Sequence, residues 1–175
     1  MLRAYTMDDL DAIHDMQSRP EVTRYLLFDV RDRDEARISL ERRVAAGLPD
    51  HAGGPLLLAL AAVLPDGTLI GDVVLFQQDA ESRQGEIGYI FHPDHAGRGY
   101  ATEAARAMLG LGFEAYGLHR IVGRLDARNA ASARVLERLG MRREAHFVQN
   151  EVVKGEWTDE LVYAMLEDEW RSRPG

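Results

Sequence analysis

Cysteine is absent from the 175 residues, which removes disulfides, thiolate metal sites and a cysteine acyl-enzyme together and leaves serine for any covalent acyl step. Positive charge is scarce as well. Against 29 Asp and Glu stand 21 Lys and Arg, for a formal net charge of -8, so the clustered cations that neutralise nucleic-acid phosphates or an anionic membrane are missing. No apolar run approaches the roughly 20 residues of a membrane span, and the opening Met1-Leu2-Arg3-Ala4-Tyr5 has no apolar signal core. The expectation is a cytoplasmic protein with neither a nucleic-acid nor a membrane partner. Internal repeats and linkers are lacking too. A hydrophobic content of 46% suits one compact domain over 1–175.

Leu2 to Tyr5 reads as a short strand, and Thr6 followed three residues later by Asp9 resembles a capping box. The helix it opens turns Leu10, Ile13 and Met16 inward and ends near Pro20. A second helix, about Asp34 to Ala46, carries a thin apolar stripe of Ala36, Ile38, Leu40 and Val44. Gly47 to Pro55 is irregular, as an acceptor-covering loop would be. Leu56 to Leu64 and Leu69 to Phe76, joined by Pro65-Asp66-Gly67-Thr68, form a predicted hairpin, and Glu86 to Phe91 adds a third strand. A helix from Tyr100 to Tyr116 then leads to a strand, Arg120 to Leu125. A strand, helix, strand crossover of this kind places its two strands parallel. Asn129 to Leu139 is a further helix stopped by Gly140, and two strands, about Met141 to Val153 and Trp157 to Leu166, close the chain.

Between the third strand and its helix lies His95-Ala96-Gly97-Arg98-Gly99-Tyr100-Ala101-Thr102. The first N–H groups of a helix have no carbonyl partner and sit at the positive end of its dipole, so a strand-to-helix loop is suited to an anion. Gly97 and Gly99 allow close backbone approach, and the small Ala101 and Thr102 keep the first turn open. Arg98 is placed to assist phosphates. No Lys-Ser or Lys-Thr follows as in a Walker loop, and the third glycine and acidic ribose ligand of a Rossmann unit are missing. His92 and His95 would not share a helical face, and no metal is expected.

The segment Pro93 to Ala104 resembles the acetyl-CoA loop of the GNAT family of N-acetyltransferases, with Ala96, Gly99 and Ala101 at its pattern positions. Ala96 departs from the Gln or Arg usual at the first of these. Asn129-Ala130-Ala131-Ser132-Ala133-Arg134-Val135-Leu136-Glu137-Arg138-Leu139-Gly140-Met141 and Gly155 to Tyr163 are similar to the ribosomal-protein N-terminal acetyltransferase (RimJ/RimL) branch, as is Glu21-Val22-Thr23-Arg24-Tyr25-Leu26.

The resemblance implies an α/β (α+β) fold with a central, mostly antiparallel mixed sheet of about seven strands and helices on both faces. It further implies acetyl-CoA wedged where two parallel strands splay, and acetyl transfer to a primary amine, of a protein N-terminus or a small molecule, without metal. Tyr89, Ile90 and Phe91 would pair with the pantetheine arm through their backbone, and Gly97, Arg98, Gly99, Tyr100, Ala101 and Thr102 would hold the pyrophosphate. Asn129 matches a cofactor-contacting Asn, and an N-cap role fits it equally. Many relatives carry a Tyr general acid seven residues further on, where this chain has Leu136. Ser132 matches instead a Ser that protonates the leaving thiolate, with Tyr100 and Tyr163 as alternative donors. Glu86 is the candidate general base, or else a paired strand charge, with Asp159 and Glu160 as weaker candidates. A noncatalytic acyl-CoA sensor is the alternative reading, and a homodimer through the last strands stays open.

Overall fold

The computed structural model describes residues 1–46 and 56–173. The Gly47 to Pro55 stretch, expected as a cover for the acceptor, lies outside them. Seven strands form one sheet in the order β1-β2-β3-β4-β5-β7-β6: β1 (Leu2–Arg3), β2 (Leu57–Val63), β3 (Leu69–Asp79), β4 (Gln84–Phe91), β5 (Arg120–Asp126), β6 (Arg142–Val153) and β7 (Glu156–Leu166). Every neighbouring pair is antiparallel except β4 and β5, which the long crossover through α4 (Tyr100–Gly110) makes parallel. The mixed sheet with helices on both faces is the architecture the sequence implied.

Alternation along β2 shows why a continuous apolar run is a strand here. Leu58 and Leu60 join the core under α4 and α5 (Ala130–Arg138), while Ala59, Ala61 and Val63 join a second core under α1 (Leu10–Gln17) and α3 (Arg33–Ala46). Both faces are buried, so both parities must be apolar. Two glycines permit close packing on the first face. A Cβ on Gly123 would lie 2.9 Å from Leu136 Cδ1, and one on Gly112 would lie 2.6 Å from Ile121 Cδ1. Gly112 sits in a π-helical turn, Leu111–Ala115, that extends α4.

The second face is held partly by charge. Only Ala36, Ser39 and Leu40 of α3 are buried, and Ile38, expected inward, is 45% exposed. Arg43 of α3 instead reaches the buried Asp72 of β3, its Nε 3.1 Å from Oδ2, while Tyr5 Oη donates to Asp72 Oδ1 at 2.9 Å. Buried charge is tolerated because it is paired and hydrogen-bonded.

The N-terminal helix also differs from expectation. The Thr6 N–H donates to Asp9 at 2.9 Å, as in a capping box, but the first turn is 3-10 (Met7–Asp9) and α1 stops at Gln17. The helix thus ends near Pro20, as expected. Proline fits the first position of a helix, and here it opens a separate short one, α2 (Pro20–Thr23). Among the described residues no helix is long and apolar enough to cross a membrane.

Candidate active site

β4 and β5 pair only at Gln84–Arg120, Gly85–Ile121 and Glu86–Val122. Beyond Glu86 each strand follows its outer neighbour, β4 along β3 to Phe91 and β5 along β7 to Asp126. A notch opens between them, and the β5-side edge of Ile87–Phe91 has no strand partner among the described residues. A cleft of about 510 Å³ occupies the notch. Its walls include Tyr89, Ser132 and Val135 from the α5 side and Val22, Tyr25 and Ile90 from the α1 side, so it reaches both faces of the sheet. The segment around α2 is pinned above it, because Lys154 Nζ in the β6–β7 turn donates to the Thr23 carbonyl at 2.7 Å. A larger groove of about 830 Å³, between β2 and α4, is lined chiefly by aliphatic residues such as Leu60, Ile70 and Leu111; it contains neither Ser132 nor Glu86, and the alternative donor Tyr100 lines both it and the cleft.

After β4 the chain makes a 3-10 turn, Pro93–His95, capped by His92, whose Nδ1 accepts from the Asp94 N–H at 3.2 Å. That acceptor role assigns the proton of a neutral ring to Nε2, which lies 2.9 Å from Asp15 Oδ2 of α1. The loop is thereby tied to the other face. Gly97 and Gly99 have φ of 76° and 83°. A Cβ on either would meet nothing within 4 Å, so the glycines are required by left-handed backbone and not by crowding. Gly99 caps α4, whose first internal bond runs from Glu103 N–H to the Gly99 carbonyl at 3.0 Å. Preceding N–H groups are left for a ligand. Gly97, Gly99, Tyr100, Ala101 and Thr102 line the cleft. Arg98 is exposed and outside the lining, and the cations that do line it are Arg134 and Arg138 of α5.

Asn129 caps α5, its Oδ1 accepting from the Ser132 N–H at 3.0 Å. This sets Ser132 in the first turn, facing Tyr89. Ser132 Oγ donates to Tyr89 Oη at 2.9 Å, and Tyr89 Oη donates to the Ser132 carbonyl at 3.1 Å. Burial pushes the Tyr89 phenol up to about 12, against the lowering effect of the Ser132 bond. The side chain of Tyr89 went unread in the sequence, although its parity with Ile87 and Phe91 is the signal that turns it toward α5.

Glu86 does not line this cleft. It stands at the apex of the notch, and by strand parity on the face of Ile90, opposite Tyr89. Arg124 Nε lies 3.4 Å from its Oε2, and Gln78 Nε2 donates to the same oxygen. Burial raises the Glu86 carboxyl, Arg124 opposes this, and the charges of Glu160 and Glu151 add to the rise. Glu160, offered as a second base, is buried and paired with Arg124.

The remaining candidates have other partners. Asp159 accepts from the Gln149 N–H at 2.9 Å and meets His146 Nε2 at 2.8 Å, serving a bulge in β6. Tyr163 is buried, donating to Glu137 Oε1 at 2.9 Å. Leu136, at the position where many relatives carry Tyr, is core, seated on Gly123. Among the described residues no three of His, Cys, Asp and Glu are grouped to hold a metal ion.

Residues 1–142 match the family model described as an acetyltransferase (GNAT) domain. A Bacillus subtilis (strain 168) protein named Uncharacterized N-acetyltransferase YnaD is 32% identical over 170 residues, covering 97% of this chain and 95% of its own length. A GNAT-family acetyltransferase of Bacillus anthracis superposes with a TM-score of 0.86 at 31% identity, over 96% of this chain and 95% of that one. The spermidine N-acetyltransferase of Vibrio cholerae, solved with CoA and spermine, superposes with a TM-score of 0.82 at 21% identity, over 98% of each chain. With a notched seven-stranded sheet, a glycine loop capping α4 and a family match over most of its length, the chain belongs to the GNAT family of acetyltransferases.

Proposed function

We propose that this protein transfers the acetyl group of acetyl-CoA to a primary amine by direct attack within a ternary complex. One observation carries the reading: a single cleft passes through the sheet, so a thioester entering from the α4/α5 side meets an acceptor arriving from the α1/α3 side. The free N–H groups of Tyr100 to Thr102 and the cations Arg134 and Arg138 would hold the phosphates. Asn129 sets the α5 wall, and the open edge of Tyr89 to Phe91 would receive the pantetheine arm and polarise the thioester carbonyl.

Glu86, at the apex of the notch and outside the lining of the cleft, takes a proton from the acceptor ammonium through water, freeing the nitrogen lone pair. The new N–C bond forms as the C–S bond breaks, the thiolate receives a proton from Ser132 Oγ, and the second proton shed by the acylated nitrogen restores the Ser132 hydroxyl. With the Tyr89 phenol raised, Ser132 keeps a protonated partner across the neutral range. The raised Glu86 carboxyl brings its proton affinity closer to that range, as a base acting there requires. Activity is therefore lost as pH falls through the Glu86 titration and recovered above it.

The carboxylates Glu86, Glu151 and Glu160 on the acceptor side favour a cationic acceptor such as a polyamine, and the likeness to the Vibrio cholerae enzyme agrees. The Ser132 motif points toward protein N-termini. Thiol release from acetyl-CoA, followed with spermine, spermidine and a set of N-terminal peptides, separates these. Tight acetyl-CoA binding without turnover on any of them would overturn the enzyme reading in favour of a sensor, which the buried Leu136 would then explain. A cytoplasmic location and a single domain over 1–175 belong to the same reading. Exposed Phe147, Val148, Val152 and Trp157 around the edge strand β6 support pairing between two copies, which light scattering would check.

A further inference from the structure

Glu86 belongs to a row of polar side chains that crosses five adjacent strands. From β3, Gln78 donates to Glu86 Oε2. Arg124 of β5 reaches that oxygen with Nε at 3.4 Å, while its Nη1 donates to Glu160 of β7 at 3.3 and 3.4 Å. Asn150 of β6 donates to Glu160 Oε2 at 2.9 Å. The last contact depends on the β6 bulge, where pairing shifts between Phe147 and Glu151 and Gln149 takes a φ of 50°. A bulge re-aims the side chains beside it, and this one brings Asn150 over β7.

Glu160 is 8% exposed and Arg124 is its only cationic partner in the row. A buried carboxylate that loses its cation carries a large desolvation cost, so the guanidinium is not free to swing into solvent. Its Nε edge is left facing Glu86. From this shared fork we infer that Arg124 and Glu160 are positioning residues for the acetyl-transfer reaction, with Arg124 held by Glu160 so as to fix the Glu86 carboxylate at the apex of the notch. This rests on the reading of Glu86 as proton acceptor.

The charged groups facing Glu86 are Arg124 from β5, Glu160 from β7 and Glu151 from β6, with the neutral Gln78 from β3. Arg124 lowers the Glu86 carboxyl, and the two glutamates raise it. The two substitutions therefore act in opposite directions. Arg124→Gln removes the opposing cation and moves the Glu86 titration upward, by roughly one pH unit given the guanidinium's partial exposure. Glu160→Gln removes a like charge, frees Arg124 for Glu86 and moves it downward. Arg124→Lys keeps the charge and stays nearer the wild type.

The decisive measurement is carboxyl ¹³C NMR titration of the glutamate-labelled full chain, with the Glu86 signal assigned by its loss in Glu86→Gln, alongside the acid limb of kcat/KM on the fastest amine. Opposite shifts in the two variants, with Arg124→Lys between them, establish the coupling. Identical titrations in all variants overturn it, and if Arg124→Gln does not fold, the downward shift in Glu160→Gln decides alone. Glu86→Gln with wild-type turnover overturns the proton-acceptor reading and this inference with it. Loss of turnover in Glu86→Gln, with no shift in the other variants, overturns only the inference.

Discussion

The two mouths of the cleft are built from different materials. On the α4/α5 side the walls are backbone and short local motifs: left-handed Gly97 and Gly99, the first turn of α4, and Asn129 holding Ser132 within one turn of α5. On the opposite side the groups at the apex are polar side chains drawn from five strands, three of them charged. Backbone donors in a capped helix keep their direction without further support. Side-chain charges depend on one another, so the acceptor side should be sensitive to pH and to single substitutions several strands apart, and the loop side to backbone conformation.

Glu86→Gln is the sharpest break of that contrast: kcat/KM should fall about 10³-fold while acetyl-CoA affinity by calorimetry is unchanged. A parallel loss of affinity would show that the two mouths are not separable. Ser132→Ala comes next, lowering kcat by about 10²-fold, with the deficit persisting at every pH because the group supplies a proton and not a titrating charge. Gly99→Ala reverses the pattern. A side chain at a φ of 83° costs about 1–2 kcal/mol, so acetyl-CoA should bind roughly tenfold more weakly with kcat retained once saturated, as steady-state kinetics would show. The smallest effect belongs to Arg138→Ala. An exposed cation contributes about 0.2–1 kcal/mol, so KM for acetyl-CoA should rise about two- to fivefold at low salt and the difference should vanish at high salt.

The same division explains what is legible in the sequence. Gly97 to Thr102 and Asn129 to Ser132 are contiguous, and their chemistry follows from cap and turn rules acting over three or four residues. Alternation and turn signals likewise revealed β2 to β7, and the crossover revealed the parallel pair. Gln78, Glu86, Arg124, Asn150 and Glu160 are spread across nearly half of the chain, and only register and the β6 bulge bring them together. Nothing local marks Asn150 as Glu160's partner. Arg98 was the natural phosphate ligand by proximity in sequence, yet Arg134 and Arg138 line the cleft, one turn apart on α5. The first helix ends near Pro20 as its sequence indicates, but that proline also opens α2, because its fixed φ suits the first position of a helix.

The notch also bears on how the molecule comes apart. Three residue pairs join β4 to β5, so the sheet has a fault line where its first four strands meet its last three. Regions with few backbone bonds between them open as separate cooperative units, and here the seam is crossed mainly by α4 and the core beneath it. A ligand lodged along the free edge of β4 would act as a weld. Calorimetric unfolding should sharpen with acetyl-CoA, and the two halves of the sheet, exchanging amide hydrogens at different rates alone, should exchange more nearly in step when it is bound.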